Sequence, residues 1–131
     1  MEHTNPIQEA KRYLDNAKEI LSTKAGKDGD YYSDSKYVKM AGDTAWKGAL
    51  IALDSVFNVK KQPRQRVSIE DYKVAVAKRN KQMLTHVNEG YHILHLAMGY
   101  DGTKIYKVCQ AGLEEASKII EWCQTNTASK K

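Results

Sequence analysis

The chain has 131 residues, of which 41% are hydrophobic and 8% aromatic, with 8 Gly and 2 Pro. That length suffices for one domain, residues 1–131, to bury a core without metal or disulfide staples, and the few alternating β-branched runs argue against a sheet. The formal net charge is +5, and no apolar run approaches the roughly 18 residues that span a bilayer, so a cytoplasmic protein without membrane association is expected.

The opening "MEHTNPIQEAKR" is polar and has no apolar signal region. Asn5 followed by Pro6 reads as a cap and first helical position. Ile7, Ala10, Leu14, Ala17 and Leu21 then recur at helical spacing, with Lys11, Arg12, Asp15 and Lys18 facing away, and this first helix ends near Ala25-Gly26. The loop "GKDGDYYSD" begins like a calcium loop, but Tyr32, Ser33 and Lys39 occupy the fifth, sixth and twelfth positions, so it is a turn.

The second helix, about Asp34 to Asn58, carries a small-residue stripe of Ala41, Ala45, Gly48, Ala49 and Ala52. Trp46, Leu50, Ile51, Leu53 and Phe57 cover most of the rest, leaving only Lys36, Asp43, Lys47 and Asp54 as a polar strip. A helix so nearly apolar all round belongs at the centre of a bundle or in a dimer interface.

A basic linker, "VKKQPRQR", leads to Ser68, which with Asp71 has capping-box spacing. A third helical segment is expected from Ile69 towards Met98, kinked or broken near Asn88-Glu89-Gly90. "GYDGT" at 99–103 is a turn cluster, and a final helix from about Thr103 to Gln124 shows an apolar face of Ile105, Val108, Cys109, Gly112, Ala116, Ile119 and Cys123. The tail, 125–131, reads as frayed. Cys109 and Cys123 are 14 residues apart on that helix, roughly 21 Å, so buried reduced thiols are expected and not a disulfide. The pattern as a whole is all-α, an up-and-down bundle of four to five helices.

Charge is uneven along the chain. Residues 59–86 hold eight Lys/Arg against two Asp/Glu, whereas 1–58 hold eight against nine and 87–131 five against five. Such clustering suggests an anionic partner, with a solvated helix face as the plain alternative. Lys60, Lys61, Arg64 and Arg66 lie in the linker, with Lys73, Lys78 and Lys81 on the following helix. If four to six cations contact phosphates, log K should fall with log salt at a slope of roughly −4 to −5. Tyr72 is the one aromatic of the segment, so any nucleic-acid binding would be led by the backbone and poor in sequence preference.

Within the segment stands "KRNKQMLTH", residues 78–86. On one continuous wheel over 69–98, Ile69, Tyr72, Val76, Met83, Val87, Gly90 and Leu94 define the core direction, and Arg79 and His86 share its rim. A histidine can act as general acid or base and an arginine can grip phosphate, which is enough for metal-free RNA cleavage through the RNA's own 2′-hydroxyl. Rim residues that support an interface or meet solvent are the other reading.

Arg79, Asn80 and His86 resemble the pattern of the HEPN superfamily, an arginine, a polar residue and a histidine after a gap of four to six residues. The resemblance implies a helical bundle, often dimeric, acting as a ribonuclease or as an inactive RNA-binding or nucleotidyltransferase-partner module. It would make His86 the general acid/base and Arg79 the phosphate-stabilising group. "Y-x-x-L-H" at Tyr91–His95 followed by "Y-D-G" at Tyr100–Gly102 also resembles a small bacterial family of unknown function with a HEPN-like fold.

Glu89-Gly90-Tyr91-His92 spells E-x-x-H, but di-iron bundles need a second copy and two further glutamates, which are lacking. His92 and His95 have no suitably spaced third zinc ligand. No metal and no cofactor is therefore expected. The partners expected are RNA, a second copy of the chain in a homodimer, or another protein.

Overall fold

The Asn5 carboxamide accepts from the Ile7 and Gln8 amides at 2.8 and 3.4 Å, and Pro6 opens helix α1 (Pro6–Thr23) beside it. The buried stripe of α1 is Ile7, Ala10, Leu14, Ala17 and Leu21, the positions expected from periodicity. The structure, a computed structural model, describes residues 5–57 and 68–128.

After α1 the turn forms a two-residue antiparallel ribbon, β1 (Lys27–Asp28) with β2 (Tyr31–Tyr32). Gly29 at its tip has φ 66°, a region that L side chains rarely adopt. The Tyr32 amide donates to the Lys104 carbonyl at 2.7 Å and the Tyr106 amide to the Asp30 carbonyl at 2.9 Å. The ribbon is thereby fixed to the start of the last helix.

Helix α2 (Ser35–Phe57) lies at the centre of the bundle, packed against α1, α5 (Tyr106–Ala128) and a π-helical segment (Tyr91–Tyr100). Its small residues make those approaches possible. A Cβ placed on Gly48 would lie 2.9 Å from the Ala10 carbonyl of α1. One on Gly42 would lie 2.6 Å from both the Leu94 carbonyl and the Met98 Cβ. Backbone therefore meets backbone at both crossings, which no larger residue permits.

The third segment departs from expectation. It is not one helix to Met98: α3 (Ile69–Arg79) ends at Asn80, and α4 (Lys81–Gly90) begins there. Asn80 is extended, at φ −160° and ψ 103°. Its amide donates to the Val76 carbonyl at 2.8 Å and its side chain accepts from the Met83 amide at 2.9 Å, so one residue closes one helix and caps the next. At the N-terminus of α3, the Ser68 amide donates to Asp71 Oδ2 at 2.9 Å, the reach-back of the capping box.

No break occurs at 88–90. Gly90 keeps helical angles (φ −59°, ψ −44°) and passes directly into the π-helical segment. That segment closes on Gly102, φ 69°, with the Gly102 amide donating to Met98 and the Thr103 amide to Ala97 at 2.9 and 2.8 Å. These bonds are one residue longer than in a Schellman cap, as the wider π turn requires.

Helix α5 starts at Tyr106, after Thr103–Ile105, and runs to Ala128, beyond Gln124. Leu53, Leu94, Met98, Ile119 and Ile120 are among the largest fully buried side chains, and Cys109 and Cys123 are buried with them. Burial pushes the two thiols up, to about 11 and about 12. Among the described residues, no helix is long and apolar enough to cross a membrane.

Candidate functional site

The junction of α3 and α4 places the sequence-predicted residues. Because Asn80 is extended, Arg79 and His86 do not lie on one continuous helix, and a single wheel does not relate their directions. The core residues on either side still fall in phase: Tyr72, Val76, Met83, Val87, Gly90 and Leu94 are all buried.

Arg79 is the last residue of α3 and is exposed. Its Nη2 donates to Asn126 Oδ1 on α5 at 2.9 Å, and Asn126 in turn donates through Nδ2 to the Trp122 carbonyl at 2.9 Å. The guanidinium carbon sits 5.6 Å from the Phe57 ring centroid and 5.9 Å from that of Trp122. Those two rings stack on each other, 5.8 Å apart with planes 16° from parallel. A cation, two aromatic rings and a side-chain amide from three helices meet here.

His86 on α4 binds α5 elsewhere. Its Nδ1 lies 2.7 Å from Glu115 Oε1, with the two side chains 24% and 17% exposed. A carboxylate only accepts, so Nδ1 donates, and the neutral imidazole keeps its lone pair on Nε2. Glu115 and Asn126 are 11 residues apart on α5, roughly 16 Å along its axis. Within one chain, then, the partners of Arg79 and His86 draw them to separate stations.

Lys78 and Lys81 flank Arg79 and Asn80, both exposed. Among the described residues no ion pair reaches Lys78, Arg79 or Lys81, whereas nearby Lys73 pairs with Glu70 at 3.5 Å. Lys60, Lys61, Arg64 and Arg66 lie outside the described residues. At the other end of α3, the buried Tyr72 donates its hydroxyl to Asp54 Oδ1 at 2.9 Å, and burial, then the bond to Asp54, raises its phenol well above the ordinary range.

The other two histidines among the described residues, His92 and His95, lie on the π-helical segment. His92 Nδ1 lies 2.9 Å from the Asn88 carbonyl, and His95 stacks on Tyr91 at 5.2 Å. Among the described residues no group of three or more His, Cys, Asp or Glu could hold a metal ion.

Phe57, Trp122, Asn126 and Glu115 are not legible in the sequence as neighbours of the motif. Two of these contacts join residues 47 and 29 apart in the chain, a separation that no local pattern encodes. The one available signal was Trp122, a large aromatic on α5 lying beside its expected apolar face.

The profile of a family described as "Domain of unknown function (DUF5618)" matches residues 5–125. A solved structure of a protein of unknown function from Dyadobacter fermentans is 42% identical and has a TM-score of 0.84, with 92% of this chain and 93% of that chain covered. No curated protein matches the chain.

Proposed function

The chain belongs to the DUF5618 family of domains of unknown function, and for this member we propose that the α3–Asn80–α4 junction binds the phosphate backbone of RNA. The supporting observation is the cluster of Lys78, Arg79 and Lys81, exposed within four residues and free of ion pairs among the described residues. Clustered, uncompensated cations attract a polyanion and release its counterions, which favours binding whatever the sequence. Beside them, the Phe57–Trp122 stack under Arg79 adds a half-buried ring surface suited to an unpaired base. In this reading the linker cations Lys60, Lys61, Arg64 and Arg66, outside the described residues, contribute charge to the same phosphate binding.

The test is fluorescence anisotropy of a labelled single-stranded RNA of mixed sequence over a salt series. The double variant Lys78→Glu/Lys81→Glu should bind at least tenfold more weakly, with a salt slope shallower by roughly 1 to 2. Unchanged affinity would remove the junction from consideration and leave the homodimeric, protein-interacting module as the reading to pursue by sedimentation.

A second reading, metal-free cleavage in the HEPN-like manner, is favoured by one observation. The Glu115 carboxylate on Nδ1 orients His86 with Nε2 left to take or give a proton, as a carboxylate does for a general-base histidine. Arg79 would then stabilise the phosphate, and the separation of the two along α5 would call for a second copy of the chain to complete the site. Cleavage of an RNA pool in EDTA should then fall roughly 10²–10⁴-fold in His86→Ala. Equal rates for variant and wild type end the catalytic reading while leaving the binding proposal standing.

A further inference from the structure

On the side of α1 and α5 capped by the β ribbon there is a cavity of about 630 Å³, within the size range of small-molecule sites. Its apolar walls are Leu21, Leu113 and the rings of Tyr32 and Tyr106, whose centroids are 5.4 Å apart at 43°. Its charged lining is Lys18, Lys27, Glu19 and Glu114, two of each sign, and none of the four is in an ion pair among the described residues. Lys27 Nζ rests 4.3 Å from the centroid of Tyr106. The formal charges cancel, so the lining gives no net preference for an ion.

The specific chemistry lies at Tyr32 and Gln110. Gln110 Nε2 donates to the Tyr32 hydroxyl at 3.0 Å, and the Tyr32 residue is only 4% exposed. No other hydrogen bond of these two side chains is formed among the described residues. The hydroxyl proton and the Gln110 carbonyl oxygen are therefore a donor and an acceptor side by side next to the rings and leucines, in a lining that also holds Ser22, Ser117 and the four charged residues. Burial raises the Tyr32 phenol above its ordinary range, so the hydroxyl keeps the proton it would donate. The donor is on the buried Tyr32 and the acceptor on the half-buried Gln110, and a ligand that engages both at once gains two hydrogen bonds together.

From this cavity, its charge balance and that donor–acceptor pair, we infer that the chain has a binding site for a neutral planar heterocycle carrying a lactam edge. The ring lies against Tyr32, Tyr106, Leu21 and Leu113. The ligand carbonyl accepts from the Tyr32 hydroxyl, and its ring N–H donates to the Gln110 carbonyl. This site shares no residue with the α3–α4 junction and stands or falls independently of RNA binding.

The experiment is a titration of the ¹⁵N-labelled full chain with 2-quinolone, followed by the Gln110 side-chain amide and the backbone amides of 27–32 and 106–117. Saturable shifts confined to those signals are expected. In Tyr32→Phe, which keeps the ring, and in Gln110→Leu, 2-quinolone should bind roughly tenfold more weakly, as loss of one hydrogen bond implies. 2-Methoxyquinoline, which has neither the N–H nor the lactam carbonyl, should bind wild type at least roughly tenfold more weakly than 2-quinolone does, and should bind Tyr32→Phe as it binds wild type. Circular dichroism of both variants checks that they fold. The inference is overturned if 2-quinolone gives no saturable shifts at millimolar concentration, if the two probes bind alike, or if quinoline-2-carboxylate binds more tightly than 2-quinolone.

Discussion

Gly42 and Lys78 mark two opposite ways in which this chain uses its surface. At Gly42 the central helix touches the π-helical segment backbone to backbone, with no room for a single added carbon. At Lys78 the outer arm of α3 and α4 is exposed, and it is tied to α5 by a few polar bonds, Arg79 to Asn126 and His86 to Glu115. The first region commits its residues to stability. The second leaves cations without ion pairs among the described residues, and a fold keeps unpaired charge at little cost only where water or a ligand can reach it. Under the proposal that the junction binds RNA, the difference sets binding on the arm and rigidity on the α2 crossing.

The largest effect that would sharpen this contrast is at the crossing itself. Gly42→Ala should lower unfolding stability by about 3 kcal/mol in urea titrations, because the atoms met are backbone and a Cβ that cannot swing aside. A loss below about 0.5 kcal/mol would mean that the crossing is loosely packed after all.

High pH should weaken the core next. The buried Cys123 thiol is raised from 9.0 to about 12. The unfolded thiol ionises first, so its contribution is full below pH 9, declines as pH rises and is gone near pH 12, with roughly 3 kcal/mol of it lost by pH 11. Denaturant melts at pH 8 and pH 11 should show the fall, and Cys123→Ala should show less of it. An identical fall in the variant would assign it to other groups.

The arm's latch is worth less. A double-mutant cycle of His86→Ala and Glu115→Gln should give a coupling of about 1 kcal/mol, since the pair is partly buried and well bonded. Coupling near zero would mean that α4 is held by its apolar face alone. Smallest of all, Lys78→Glu/Lys81→Glu should change stability by no more than about 0.5 kcal/mol, measured by thermal melting, because nothing in the described fold depends on either charge.

Much of the bundle was legible in the sequence. The buried face of α1 and the small-residue stripe of α2 follow from periodicity, whereas the expected face of α5 holds only in part. Ile105 precedes that helix and is exposed, Val108 is half-buried, and Leu113 and Ile120 are buried beside it. The break at Asn80 did not show, because apolar residues resume in phase beyond it: Val76 and Met83 are both buried whether the helix continues or restarts. Gly90 drew the expected break to the wrong place. Its role is close packing, with its would-be Cβ 3.4 Å from Trp46 and Ile119, and the helix runs on through it. The motif residues were readable as types, but their partners were not. Glu115, Asn126, Phe57 and Trp122 reach them only through tertiary packing.

The most direct test of the division between arm and core is an NMR titration of the full chain with single-stranded RNA at low salt. The expected result is shifts concentrated at Lys78–Lys81 and the Trp122 indole, little change along α2, and loss of the whole response in Lys78→Glu/Lys81→Glu. Shifts elsewhere with the junction silent, or the same response in the double variant, would contradict it.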